Sequence, residues 1–243
     1  MDFSAQQADL LSRRQEGTGE WFIRSPEFSK WIREPKETLF CPGIPGAGKT
    51  MIAVAIVDYL ARHLQSDNVG LAYVFCNYKA TEDQTLPKLQ ASILKQLIQT
   101  QPTLINQTRL PELYSRRKPS LDDNQIDGIL QSVISYYPTT YIVVDALDEC
   151  TDKGKVRSRF IASLRDLKNK ADVRLLFTSR PYPDVSDMFR GVSKLEIGAR
   201  SEDIQQFVGG QIHRFPQWIQ DDRELLDQIM DKIVTAVDKM YVI

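Results

Sequence analysis

Apolar and polar positions along this chain switch repeatedly between two periods. A short strand at 37–41 leads into a glycine-rich stretch, and 49–64 then places its apolar residues at helical spacing. The segment "VGLAYVFC" (69–76) is β-rich, and 85–99 returns to the helical period with Leu86, Leu89, Ile93 and Leu97 on one face. A further helix is predicted from "SLDDNQIDGIL": Ser120 caps it, Asp122 and Asp123 suit its first turn, and Ile126, Ile129, Leu130, Val133 and Ile134 form its stripe. "YIVVDALDE" reads as a buried strand ending in acids. A helix over 155–167, the strand "VRLLFTSR" and a weak strand "SKLEIGA" follow. From Ser201 onward the signals are only helical: "SEDIQQFV", then 221–241 with Leu225, Leu226, Ile229, Met230, Ile233, Val234 and Val237 on one face. Strands alternating with helices predict an α/β fold, a three-layer parallel sheet followed by a small all-helical subdomain. Ahead of the sheet, Ser25 is placed to cap a helix with Pro26 at its first position, and Trp21, Phe28 and Trp31 are expected to pack on the core.

Composition narrows the partners. With 243 residues, 42% hydrophobic and 26% charged, the chain can bury a real core. Its 31 basic and 32 acidic residues are interspersed and leave a net charge of −1, which argues against nucleic acid and against a polybasic membrane anchor. The longest apolar run, 51–57, is too short to span a bilayer. The start, "MDFSAQQADLLSRRQEG", lacks the basic-then-apolar pattern of a secretory leader. Cys41, Cys76 and Cys150 sit in apolar contexts without paired spacing, as reduced core residues of a cytoplasmic protein do.

The chemistry begins at "CPGIPGAGKT". Gly43, Ile44, Pro45, Gly46, Ala47, Gly48, Lys49 and Thr50 match G-x-x-x-x-G-K-[ST], set between a strand and a helix as that motif requires. Glycines let backbone N–H groups close around a phosphate, and the following helix adds the positive end of its dipole. Lys49 supplies charge for the outer phosphates, and the Thr50 hydroxyl is a Mg²⁺ ligand candidate. Asp145, closing the apolar run of "YIVVDALDEC", would sit at the same edge of the sheet and hold Mg²⁺ through water. Asp148 or Glu149, three and four residues on, could orient or deprotonate an attacking water. The strand 69–76, falling between the loop strand and the acid strand, points to the ATPase (ASCE) branch of P-loop NTPases rather than the kinase branch. At the end of "LLFTSRP", Thr178 and Ser179 could sense a γ-phosphate and Arg180 could stabilise charge during phosphoryl transfer.

One string misleads. "NKAD" (169–172) spells the guanine-reading N-K-x-D of many GTPases, but it precedes its strand instead of following it. That puts it at the sheet edge opposite the phosphate loop, where it reads as a helix end and turn.

Taken in order, "GTGEWF", "SPEF", "LFCPGIPGAGKT", "YIVVDALDE" and "LLFTSRP" resemble the NACHT domain of the STAND class of signal-transducing NTPases. The likeness is to the fungal, nephrocystin-like versions found in ankyrin-repeat and heterokaryon-incompatibility proteins, and it spans about residues 15–243. On that resemblance, 1–35 is a helical lead-in, 36–199 the NACHT nucleotide-binding domain and 200–243 a truncated helical subdomain. The resemblance implies that "GTGEW" lies near the nucleotide base with Thr18 as a backbone or hydroxyl contact; plain packing of Trp21 is the stronger alternative. Near "DKMY", Asp238 and Lys239 depart from the family's pattern and weaken nucleotide contact there. The resemblance implies a switch using Mg²⁺ and ATP/ADP, with GTP/GDP as the other choice. The diphosphate form is closed, and the triphosphate form opens and forms a homo-oligomer through the NACHT domain. The effector domain, winged helix and repeats that such proteins carry are absent, as in a piece of a longer protein or a naturally short one.

Three functions compete at this stage. The leading one is a switch with slow Mg²⁺-dependent NTP hydrolysis. The alternative is a non-hydrolysing nucleotide-binding oligomerisation module, distinguished by phosphate release. A small-molecule kinase would need an acceptor pocket and an arginine lid, for which "RLPELYSRRKP" offers Arg109, Arg116 and Arg117 in an exposed, turn-rich setting.

Overall fold

The computed structural model describes residues 1–64, 68–80, 82–102 and 123–240. The expected cap at Ser120, Asp122, and the arginines at 109, 116 and 117 lie outside the described residues, as do the side chains of 123, 124 and 237–240.

Five parallel strands form one sheet: β1 (Thr38–Pro42), β2 (Gly70–Phe75), β3 (Thr140–Asp145), β4 (Val173–Ser179) and β5 (Ser193–Lys194). β1, β3 and β4 are buried along their whole length, which is why they read as continuous apolar runs and not as alternations. The order across the sheet is β2-β3-β4-β1-β5. The strand standing between the loop strand and the acid strand is therefore β4; β2 lies at the edge, beyond β3. The chain order of 69–76 does not reproduce its place in space, because parallel neighbours are joined by crossovers that can skip positions. The weak strand expected over "SKLEIGA" pairs only at Ser193–Lys194, although Leu195 N–H and Ile197 N–H still donate to Phe40 and Pro42 carbonyls of β1.

Before β1 come α1 (Phe3–Arg13), α2 (Glu20–Ile23) and α3 (Pro26–Arg33); α4 (Lys49–His63) follows it. α1 packs on α4, and α4 lies against β2, β3 and β4. α5 (Leu86–Thr100), α6 (Asp123–Ile134) and α7 (Val156–Lys170) pack on one another, with α5 against β2 and α7 against β4. The edge of β2 is closed by Gln96 of α5, whose side chain accepts from Tyr73 N–H at 3.0 Å and donates to Tyr73 C=O at 2.9 Å. Ser25 caps α3 as expected, its Oγ accepting from Phe28 N–H at 3.2 Å. Phe28 and Trp31 are fully buried, and Trp31 donates its indole N–H to the Leu175 carbonyl at 2.9 Å.

After the short α8 (Pro183–Asp187) and β5, the chain runs through α9 (Ser201–Gln211), α10 (Gln217–Gln220) and α11 (Arg223–Met240). No side chain described from 201 to 236 is fully buried. All three cysteines are free and buried, and desolvation holds the Cys41 thiol far above its ordinary pKa. Among the described residues no helix is long and apolar enough to cross a membrane.

Candidate functional site

The sheet register assembles the site. Cys41 of β1 pairs with Thr178 of β4, and Val144 of β3 with Phe177, so the next residues up, Asp145 and Thr178, face each other at the C-terminal edge. The glycine-rich stretch leaves β1 at this same level and turns into α4. Gly46 and Gly48 adopt φ of +80° and +85°, which L side chains rarely take. Gly43 is required for a different reason: a Cβ there would lie 2.4 Å from the Ile197 carbonyl oxygen.

Lys49 folds back over this loop, donating to the carbonyls of Gly43 and Ile44 at 2.8 Å each. Burial pulls its pKa below the usual lysine value, opposed by the negative charges of Asp148 and Asp145. Thr50 donates its hydroxyl to Asp145 Oδ2 at 2.8 Å. The other carboxylate oxygen, Oδ1, accepts from Thr178 at 2.5 Å. Asp145 is buried, and desolvation raises its pKa against the hydrogen bonds from Thr178 and Thr50 and the charge of Lys49. Lysine, threonine and aspartate thus converge at one point.

Asp148 and Glu149 follow a sharp turn in which Ala146 takes φ 52° and ψ 48°, a left-handed conformation unusual for a residue with a Cβ. Asp148 Oδ1 accepts from Arg180 N–H at 3.0 Å. Arg180 pairs with both acids, at 3.3 Å from Asp148 and 3.5 Å from Glu149. Glu149 also accepts from Tyr78 N–H at 3.3 Å. Ser179 is buried, its hydroxyl donating to the Arg180 carbonyl at 2.8 Å and lying 3.3 Å from Asp148. Thr178, expected from its strand-end position to meet a phosphate, is instead wholly buried, its hydroxyl taken up by Asp145 and by Ala146 N–H.

A cavity of about 330 Å³ opens here, with Lys49, Thr50, Asp148, Glu149 and Arg180 on its walls. Thr50 and Asp145 offer hard oxygens of the kind magnesium takes, and among the described residues no cluster of three or more His, Cys, Asp or Glu could hold a metal alone. Magnesium is commonly held by one or two protein oxygens with waters and substrate phosphates completing the shell.

A second, mostly apolar cavity of about 610 Å³ adjoins the first along Gly46, Gly48 and Met51. Thr18 and Gly19 stand on one side of it, and Ile204, Phe207 and Ile233 of the helical end on the other. The two sides are clipped together. Asp203 of α9 accepts from Gly19 N–H at 2.9 Å and from the Trp21 indole at 3.0 Å, and Arg200 stacks over Trp21 at 4.1 Å. Trp21 is therefore an anchor to α9 as well as a packing residue. No sequence signal links Asp203 to Trp21 across that separation. Nor does the sequence mark Thr178 as the brace on Asp145, since β4 also carries Arg174 and Ser179.

The "NKAD" string is at the other end of the sheet. Asp172 accepts from Lys36 N–H at 2.6 Å, Thr139 Oγ1 at 2.9 Å and Arg174 at 2.9 Å.

Comparison with known proteins fits this arrangement. Among solved structures, the Walker-type ATPase PABY2304 of Pyrococcus abyssi superposes with a TM-score of 0.56 at 13% identity, over 91% of this chain and 67% of that one. A chain of Drosophila ORC bound to DNA gives 0.53 at 15% identity, over 95% and 55%. These likenesses establish the P-loop NTPase fold. In sequence, the chain is 24% identical over 225 residues to vegetative incompatibility protein HET-E-1 of Podospora anserina, covering 87% of this chain. It spans 16% of the length of that relative. The family model for the N-terminal region of nephrocystin 3 matches residues 17–180, more than half of the chain, in line with the resemblance to fungal nephrocystin-like NACHT proteins. With its phosphate loop, acid strand and arginine strand all inside that match, the chain belongs to the nephrocystin 3 N-terminal family.

Proposed function

We propose that this chain binds a nucleoside triphosphate with Mg²⁺, hydrolyses it slowly, and uses the exchange to control assembly and signalling. The observation that carries the reading is the convergence of Lys49, Thr50 and Asp145 at the mouth of the glycine loop. The loop amides and Lys49 would take the phosphates, with Lys49 leaving the Gly43 and Ile44 carbonyls it now caps. Magnesium, held by Thr50 and through water by Asp145, would neutralise charge on the outer phosphates. Asp148 and Glu149 would place the attacking water, and Arg180 would meet charge on the transferring group. The adjoining apolar cavity has room for the base, with Thr18 and Gly19 beside it. The domain limits 36–199 and 200–243 belong to this proposal too, as does a homo-oligomer. The same holds for effector and repeat segments in a longer protein.

The test is binding and turnover with ATP and with GTP. Lys49→Ala should abolish binding. Asp148→Asn or Glu149→Gln should keep it and lower phosphate release by at least about 100-fold, the scale of a lost general base. Unchanged binding in Lys49→Ala would end the reading. A second reading, a non-hydrolysing binding module, is favoured by one observation: Arg180 occupies both acids. Phosphate release no faster than in Asp145→Asn would select it.

A further inference from the structure

Thr178 has no solvent exposure, so it cannot touch a nucleotide, yet its hydroxyl sits at the centre of the site's hydrogen bonds. It donates to Asp145 Oδ1 at 2.5 Å and accepts from Ala146 N–H at 2.9 Å. The opposite carboxylate oxygen, Oδ2, accepts from Thr50 at 2.8 Å. A carboxylate's terminal torsion is broad and nearly two-fold, so Asp145 does not hold its own orientation. Threonine, branched at Cβ, is stiff at χ1, and its backbone is fixed by pairing with Cys41 of β1, one residue beyond the Val144–Phe177 pair to β3. Direction is therefore passed from the sheet to the carboxylate. The same hydroxyl holds the first amide of the turn at Ala146, whose left-handed backbone leads to Asp148 and Glu149.

We propose that Thr178 is a positioning residue: bonded at once to Asp145 and to the Ala146 amide, its hydroxyl fixes the plane in which the carboxylate turns an oxygen toward Thr50 and magnesium, and holds the turn that presents Asp148 and Glu149. This rests on the nucleotide reading above. Partners that orient a metal ligand from behind change metal affinity or activity by about 10–100-fold when removed.

The experiment titrates Mg²⁺ against binding of a fluorescent ATP analogue, in the wild type, Thr178→Val (same shape, no hydroxyl) and Thr178→Ser (hydroxyl restored), with melting curves for each. Thr178→Val should bind the analogue in EDTA as the wild type does. It should need about 10–100-fold more Mg²⁺ for its metal-dependent gain in affinity, and show a lower kcat with KM little changed. Thr178→Ser should recover most of both. In an Asp145→Asn background, Thr178→Val should add little. A wild-type Mg²⁺ response in Thr178→Val, or no recovery in a folded Thr178→Ser, overturns the proposal. Should Thr178→Val not fold, Thr178→Cys, a weak donor of serine's size, carries the same comparison. If the wild type binds no nucleotide at any Mg²⁺ concentration, the nucleotide reading fails and this proposal with it. Normal wild-type binding beside an unaltered Thr178→Val removes the positioning role alone.

Discussion

Asp172 ends a string that looks like a guanine reader, but its carboxylate is used by the fold. It gathers Lys36 N–H, Thr139 and Arg174 where β4 begins, while the phosphate loop lies where the strands end. Burial pushes its pKa up, but those hydrogen bonds outweigh burial and hold it below its ordinary 3.8. A carboxylate with a depressed folded pKa stabilises above its unfolded value, so this contribution is complete above about pH 4 and fades as pH falls through the folded pKa. Asp172→Ala should destabilise by about 3 kcal/mol at neutral pH, since it leaves the nearly buried Arg174 unpaired. It should also flatten the acid side of the stability profile. Chemical denaturation across pH reads both, and an equal loss of GTP and ATP binding in the folded variant, or none, separates this from guanine recognition. The glycine-rich loop was legible at this scale because its pattern lies in eight consecutive residues. The brace on Asp145 was not, because it depends on how two strands are registered.

At the scale of elements, α3 shows the same division. Its start was readable from Ser25 and Pro26, since capping and a preset φ act within a turn. What it packs on was not. Trp31 crosses to β4, giving its N–H to the Leu175 carbonyl and its ring edge-on to Tyr141 at 5.3 Å. Trp31→Ala should cost about 3–5 kcal/mol through the cavity it leaves. Trp31→Phe, which keeps a ring but removes the indole's hydrogen bond to a carbonyl that stays paired in the β1–β4 ladder, should cost about 0.5–1.5 kcal/mol. Urea midpoints at unchanged slope check the order; a Phe variant as damaging as Ala would show that the hydrogen bond and not the volume governs. The strand order belongs here as well. Each strand was visible as a run of apolar residues, whereas the insertion of β4 between β1 and β3 was not, because such runs carry no label for their neighbours.

Across the whole molecule, the lead-in and the helical end meet over the apolar cavity through Asp203, Gly19, Trp21 and Arg200. With no fully buried side chain of its own from 201 to 236, the helical end depends on such contacts for its place. Asp203→Ala removes two hydrogen bonds to a charged acceptor, worth about 1–3 kcal/mol together in this partly exposed setting. It should leave the sheet's hydrogen exchange unchanged while exchange and protease cleavage in 201–240 rise by about 10-fold or more, the factor that about 1.4 kcal/mol of local stability represents. Unchanged protection there would mean that the clip does not hold the helical end.

The amino-acid sequence by itself determined what is written in short spacings: the periods of the strands and helices, the α3 cap, the glycines of the phosphate loop and the acids at the end of β3. These follow from backbone torsions and side-chain direction within a few residues, and they sufficed for the fold class. Only the tertiary structure decided the strand order, the Thr178 brace, the capture of Asp148 and Glu149 by Arg180, and the clip of α9 onto the lead-in. Each joins residues far apart in the chain, 33 positions for Thr178 and Asp145 and 184 for Gly19 and Asp203. Such pairs are selected by packing and by the need to satisfy buried polar groups, neither of which a local pattern encodes.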